Sequence, residues 1–177
     1  MRNLLLCTKN TELIPVEISD AEFIYSLRID SRLSKHISTI NGTVIDQARW
    51  IVDYKKREKN NEEFYFIIKR TDNDKRIGTI RLYDITQDNG FCWGSWILNE
   101  DKMKSSAIES AYLIYKFGFL HKKYKFSYFQ VDKKNKGVIA FHQKTGASII
   151  KEDEVNYHFE FYMENFINLK EKYSKYI

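Results

Sequence analysis

The sequence predicts an α+β fold, with a mostly antiparallel, mixed central sheet of about seven strands flanked by helices. Three observations lead there. Residues 63–98 hold three runs rich in aromatic and β-branched residues, separated by Asp72-Asn73-Asp74 and by Asp88-Asn89-Gly90. Runs of that kind, joined by short Asp/Asn/Gly turns, form an antiparallel meander. Segments with apolar residues at helical spacing stand on both sides of it. No linker, repeat or low-complexity stretch interrupts the chain, so residues 1–177 are read as one domain.

In chain order, residues 12–17 read as the first strand. Asp20 is placed to cap a helix through Arg28, with Phe23, Ile24 and Leu27 on one face. Residues 29–42 form a loop. Thr43 caps a longer amphipathic helix to about residue 60, with Asp46 as the capping-box acid and Ile45, Ala48, Ile51 and Val52 facing inward. The meander supplies strands at 63–70, 75–84 and 91–98. Residues 105–121 are helical, with Ala107, Ile108, Ala111, Ile114, Tyr115, Gly118 and Phe119 at helical spacing. A basic strand at 125–131 follows. Asn135 then opens a short helix that Gly146 closes. Asn offers its side-chain oxygen to an orphan N–H, and Gly supplies the left-handed C-cap. Strands at 147–151 and 156–163 and a helix at 164–177 complete the chain.

Composition narrows the function. The net charge is +5 and the pI about 9.0, but Lys and Arg are interleaved with acids, as in Lys55-Lys56-Arg57-Glu58-Lys59. No basic helix face, RNA-binding aromatic motif or zinc finger is present, so no nucleic-acid partner is expected. An excess of positive charge suits an enzyme that collects phosphorylated molecules. No apolar run approaches the roughly 18–20 residues that span a bilayer, so no membrane insertion is expected. The apolar start from Met1 to Cys7 lacks a small-residue cleavage site and is not read as a signal peptide. Cys7 and Cys92 are the only cysteines, which suggests a reducing cytosol. The four His are scattered without zinc spacing, and no metal is expected.

The stretch Asn135 to Ala147 carries the sharpest signal. Asn135 opens it, Phe141-His142 lies before its exit, and Gly146-Ala147 ends it. It resembles the N-x-x-A-x-x-[LF]-Y-x-x-x-G-[FA] segment of the GNAT (N-acetyltransferase) superfamily, with His142 at the Tyr place. A second segment, from Gly94 to Glu109, is similar to that family's G-x-W-I-x-P-E-x-[QR]-G-x-G-x-A-x-E. Trp96, Ile97, Glu100, Ala107 and Glu109 fall on matching places. Lys102 stands for the usual Gln or Arg, and Met103 and Ser105 replace two glycines. The element order follows the same family from about residue 12 to 163.

The resemblance implies a three-layer fold, splayed between the fourth and fifth strands, that binds acetyl-CoA as co-substrate. The cofactor pyrophosphate is expected on the backbone of Lys102, Met103, Lys104, Ser105, Ser106 and Ala107, where free donors at a helix N-terminus welcome an anion. Asn135 and His142 are expected to touch the cofactor. The oxyanion donors are expected at the amides of Ile97 and Leu98, where the fourth strand bulges. His142, with an ordinary imidazole pKa near about 6.5, is the expected acid for the leaving thiolate. Asp84 is the expected base. Glu100, Glu109, His36 and His158 are weaker candidates for it, and water is another.

The loop after the first helix walls the acceptor pocket in that family. Here it carries Arg28, Arg32, Lys35 and His36. Arg forms bidentate contacts with phosphate, and Tyr83, Trp93 and Trp96 offer aromatic faces. The expected acceptor is a small-molecule amine held by Arg28, Arg32, Tyr83 and Trp96. The chain as a whole resembles bacterial members that acetylate nucleotide-linked amino deoxysugars for surface polysaccharides. Three other readings stay open: a protein N-terminal acetyltransferase, a non-catalytic acyl-CoA-binding domain, and a small RNA-binding protein. A homodimer is left open, and a cytoplasmic location is expected.

Overall fold

Strand β2 (Phe64–Arg70) sends its side chains into two cores. Phe64, Phe66 and Ile68 enter one, and Tyr65 and Ile67 enter the other. Side chains alternate along a strand, so an all-apolar run is buried on both faces and needs cover on both. The computed structural model describes residues 6–35, 37 and 40–177, and the readings made on residues 1–5 and on His36 lie outside them.

β2 pairs antiparallel with β1 (Thr11–Pro15) and β3 (Arg76–Tyr83), and β3 with β4 (Gly90–Leu98). β4 meets β5 (Phe126–Asp132) in parallel, but only through Gly90–Phe126 and Phe91–Ser127. β7 (Asn156–Tyr162) pairs along the whole of β5, and β6 (Ser148–Glu152) closes the far edge. The sheet order is β1-β2-β3-β4-β5-β7-β6. This is the expected mixed seven-stranded sheet, open between its fourth and fifth strands.

Helices α1 (Ala21–Ile29) and α2 (Val44–Lys59) cover one face, packing Ile24, Ile51 and Tyr54 on Tyr65 and Ile67. Thr43 and Asp46 form the expected capping box. The inward stripe of α2 differs from the expected one. Ile45 is 64% and Val52 42% exposed, while Gln47, Ile51, Tyr54 and Glu58 are buried. A polar stripe displaces an apolar one because Glu58 accepts the Tyr54 hydroxyl at 2.7 Å and pairs with Lys55 at 2.6 Å. Asp20 does not cap α1 through its side chain. It lies in a 3₁₀ turn (Ile18–Asp20), accepts the Glu17 N–H and pairs with Arg76 at 2.9 Å.

Helix α3 (Ser106–Lys116) covers the other face and is buried almost all round. The expected single helix over 105–121 changes to a π-helical turn at Phe117–His121. After β5, α4 (Lys136–Thr145) is capped as predicted. The Asn135 side chain accepts the Val138 N–H at 3.3 Å, and Gly146 takes a φ of +104°, which an L side chain would strain. Helix α5 (Met163–Lys172) packs on α3 and β7.

Glu109 of α3 is fully buried and ties down the segment before β1. Its carboxylate accepts the Thr8 hydroxyl at 2.5 Å, the Asn10 N–H at 2.8 Å and the Asn10 side-chain amide at 2.8 Å. Each hydrogen bond to a buried charge is worth more than a neutral one. We expect Glu109→Ala to lower the unfolding free energy by roughly 3 kcal/mol, because three half-buried donors on Thr8 and Asn10 lose their acceptor. Chemical denaturation reads that loss. Hydrogen exchange at the Asn10 amide should speed up with it; an unchanged midpoint would refute the assignment.

Candidate functional site

Beyond Phe91 and Ser127 the ladder between β4 and β5 stops, and a cavity of about 1100 Å³ opens along the gap. One wall is β4 from Cys92 to Trp96. Opposite it stand Phe129 and Val131 of β5, with Asn135, Val138 and His142 from the start and inner face of α4. Arg32, Lys35 and Ile37 of the α1–α2 loop reach its mouth.

The β4 bulge lies slightly before the expected place. Thr79 pairs with Ile97 and Arg81 with Gly94, so Ile80 faces both Ser95 and Trp96. Ser95 takes a φ of +48°, and its carbonyl accepts the Thr79 hydroxyl at 3.0 Å. The Asn99 N–H binds the Ile77 carbonyl at 2.8 Å. Antiparallel pairs alternate, so Ile97 belongs to the β3 ladder and Leu98 turns its N–H to the open side. Of the two expected donors, Leu98 remains available and Ile97 does not. Gly78 is required beside this kink, because a Cβ there would lie 1.9 Å from the Ile97 carbonyl oxygen.

The loop before α3 divides its donors. The Lys102 N–H binds the Asn99 carbonyl, the Met103 N–H binds the Ser106 hydroxyl at 2.9 Å, and the Ser106 N–H binds the Met103 carbonyl. No acceptor among the described residues meets the N–H groups of Lys104, Ser105 and Ala107. These are orphan donors of a helix N-terminus, flanked by the exposed Lys102 and Lys104 side chains. The Ser105 side chain is buried and meets the Asn10 amide at 3.3 Å.

His142 departs most from expectation. It is 4% exposed and packed among Phe129, Trp93, Phe141 and Phe159, with ring centroids 4.2–5.7 Å away. Its Nδ1 has no hydrogen-bond partner among the described residues. Burial pushes its pKa down to about 3, because an apolar cage disfavours the charged form. The ordinary imidazole pKa assumed from the sequence does not hold, and the ring is neutral at physiological pH.

The other candidates separate as well. Asp84 is exposed at the cavity edge, with a φ of +49°, and its carbonyl accepts the Tyr128 hydroxyl at 2.7 Å. Glu109 is the buried tie described above and is not a base candidate. Glu100 is exposed and paired with Arg32 at 3.0 Å, and His158 is engaged by Asp153 at 2.6 Å. Burial pushes the Cys92 thiol up to about 11, so it stays protonated and is no nucleophile. The Trp96 indole lines the cavity but spends its N–H on the Ser110 hydroxyl at 3.1 Å.

Arg28 and Arg32 do not share a site. Arg32 stands at the large cavity, 72% exposed and held by Asp30 and Glu100. Arg28 lines a second cavity of about 310 Å³ between α1, α2 and β4. Arg81 and Ser95 line both cavities and form their junction. Neither residue was singled out from the sequence. Arg81 carried a signal, since it interrupts the buried positions of a central strand, where a charge is rarely placed without a use.

The neutral His142 has a measurable consequence. The unfolded chain takes up a proton at His142 below about pH 6.5, and the folded chain does not until about pH 3. Its stabilising contribution is therefore complete above pH 6.5 and is lost as pH falls towards 3. We expect His142→Phe to flatten this limb, gaining roughly 2 kcal/mol on the wild type between about pH 7 and pH 4.5. Denaturation curves at the two pH values test it, and parallel losses in both proteins would count against a buried neutral imidazole.

The strand opening, the capped α4 and the donors before α3 can now be set beside known proteins. A family model described as "Acetyltransferase (GNAT) domain" matches residues 10–148. FdhC, described as a nucleotide-linked sugar GNAT and solved in its apo form, is 45% identical over 98% of both chains, with a TM-score of 0.92. The probable N-acetyltransferase YjcK of Bacillus subtilis (strain 168) is 33% identical over 76 residues, which span 40% of this chain and 42% of that relative. The spermidine N-acetyltransferase of Vibrio cholerae, solved with CoA and spermine, has the same fold, with a TM-score of 0.77 at 15% identity over 89% of this chain and 98% of that one. The match runs through β4, α3, β5 and α4, which build the cavity, and the chain belongs to the GNAT acetyltransferase family as an acyltransferase.

Proposed function

We propose that the protein transfers the acetyl group of acetyl-CoA to the primary amine of a nucleotide-linked amino deoxysugar, in the cytoplasm, during the making of a surface polysaccharide. The observation that carries this reading is the likeness to FdhC, a nucleotide-linked sugar GNAT, at 45% identity over nearly the whole of both chains.

The chain's residues fit the two substrates. Acetyl-CoA supplies the acyl group as a thioester. The N–H groups of Lys104, Ser105 and Ala107, with the Lys102 and Lys104 ammonium groups, hold its pyrophosphate. The Asn135 and Val138 positions flank the gap where its pantetheine arm runs. The Leu98 N–H donates to the carbonyl oxygen as negative charge gathers there, a contribution of roughly 3–4 kcal/mol for an aimed backbone donor. The Asp84 carboxylate accepts the proton that the amine must lose. A neutral His142 is a poor acid, so the thiolate departs with little help. It is a fair leaving group, with a pKa of about 8.5.

Four measurements test this reading. Turnover of acetyl-CoA across a panel of nucleotide-linked amino sugars, free amino sugars and peptide N-termini should favour the first class; activity on peptides alone would overturn the acceptor. Lys102 and Lys104 are exposed and tolerate change, so the double substitution K102E/K104E should raise the KM for acetyl-CoA by roughly tenfold and leave the acceptor KM alone. An equal rise in both would move the pyrophosphate elsewhere. Asp84→Asn keeps the left-handed backbone that Asn tolerates, and should lower kcat by about a hundredfold if Asp84 is the base. His142→Phe should cost less than about tenfold in kcat.

A further inference from the structure

Tyr83 and Asp84 both line the large cavity, although they are neighbours in the chain at the end of β3. Successive side chains of a strand point to opposite faces, so a regular strand would have turned one of the two away. Asp84 escapes that rule because its φ is +49°. The left-handed region disfavours any residue with a Cβ, and such a conformation persists only where its surroundings hold it.

Two contacts hold this one. On the loop side, Thr86 closes the turn. Its N–H binds the Gly90 carbonyl at 2.9 Å, and its hydroxyl accepts the Gly90 N–H at 2.8 Å. On the cavity side, the Tyr128 hydroxyl donates to the Asp84 carbonyl at 2.7 Å. Tyr128 is the first residue of β5 beyond its short ladder with β4, so its side chain crosses β4 to reach the end of β3. Its ring is steadied by Phe126 at 6.2 Å, which rests so closely on Gly90 that a Cβ there would lie 2.6 Å away. Glu160, opposite Tyr128 in the ladder with β7, does not compete for the hydroxyl, because it accepts that of Tyr162 at 2.6 Å. Burial above all, with the Asp84 charge among the further causes, raises the pKa of Tyr83, Cys92 and Tyr128. These three groups keep their protons and leave the Asp84 carboxylate as the proton acceptor of this corner.

We propose that Tyr128 is a positioning residue: its hydroxyl, by fixing the Asp84 carbonyl, keeps the left-handed turn that swings the carboxylate into the cavity. The proposal rests on the reading of Asp84 as the base given above. Without the tie, Asp84 is free to relax to an extended backbone, which restores the strand alternation and carries the carboxylate towards the other face. The reactive arrangement is then one of two states, and kcat falls with its population.

Tyr128→Phe removes one oxygen and leaves the ring in place. It should lower kcat by roughly tenfold, the weight of one hydrogen bond, while the KM values for acetyl-CoA and for the acceptor stay within about twofold of wild type. A raised acceptor KM at unchanged kcat would mean that the hydroxyl binds the acceptor, and overturns the proposal. The double variant Tyr128→Phe/Asp84→Asn should be no slower than Asp84→Asn alone, because a tie that acts only through the carboxylate has nothing left to position. Losses that multiply overturn it. A kcat that falls in Asp84→Asn but not in Tyr128→Phe overturns the positioning role and leaves the base reading intact; a kcat that falls in neither overturns both. A second arm needs no turnover. The Cα and carbonyl carbon chemical shifts of Asp84 should move towards extended-backbone values in Tyr128→Phe, and unchanged shifts overturn the tie.

Discussion

β4 cannot serve two neighbours at once, and the site follows from that conflict. It is held along its length by β3 but by β5 through only two residue pairs. The extra residue at Ser95–Trp96 bends it away, as a bulge does by raising local twist. β5 meanwhile follows β7 along its whole length. The wedge between them is filled at its base by aromatic side chains. Trp93 packs on Tyr115 and Phe129, and Trp96 on Phe141. Above that layer the gap stays open, and backbone groups that would have paired across it are left for a ligand. The same bulge places Ser95 between two cavities, which it lines in common.

Charge is organised around this gap. Several basic side chains outside it have an acid within reach, such as Lys69 with Glu12 and Asp74, and Arg70 with Asp72. Exposed pairs of this kind add little stability. Beside the gap, two arrangements differ in kind: Lys102 and Lys104 before α3, exposed to solvent, and Arg81 beside the bulge, paired with Glu63 at 3.6 Å. The first group faces the free donors of a helix start, and the second is desolvated and held between rings. An exposed cluster of ammonium groups attracts anions diffusely, whereas a guanidinium held between rings is fixed in place.

Much of the fold was legible because its signals are local. The turns after β2 and β3, the Thr43–Asp46 box and the Asn135–Gly146 pair each depend on residues a few positions apart. The inward face of α2 was not legible, because Ile45 and Val52 look like core residues while the true stripe runs through Gln47 and Glu58. That choice depends on Lys55 and on the buried Tyr54 hydroxyl, which the helix period alone does not report. The site divided in the same way. Asn135 caps α4, and the loop before α3 leaves N–H groups without an acceptor among the described residues, both of them local features. The state of His142 was hidden, because its cage is assembled from β4, β5, α4 and β7. Arg28 and Arg32, four residues apart in sequence, part company because α1 ends at Ile29 and the chain turns towards the large cavity.

The two missing glycines of the loop before α3 change the motif without closing off its backbone donors. Glycine is required where φ is positive or where a Cβ would collide. Ser105 has a φ of −90° and a ψ of −11°, a backbone that any residue adopts. Its side chain turns inward to Asn10, away from the donors, and Asn10 is fixed in turn by Glu109. Met103 keeps the loop closed through its N–H to the Ser106 hydroxyl. The space a glycine would have left at position 105 is therefore recovered by turning the side chain into the protein. The cost is the buried Asn10–Glu109 tie, which shapes the loop from beneath. Glu109, matched by the family pattern and read from sequence as a weaker base candidate, thus bears on this loop through Asn10 and the Ser105 side chain that it holds.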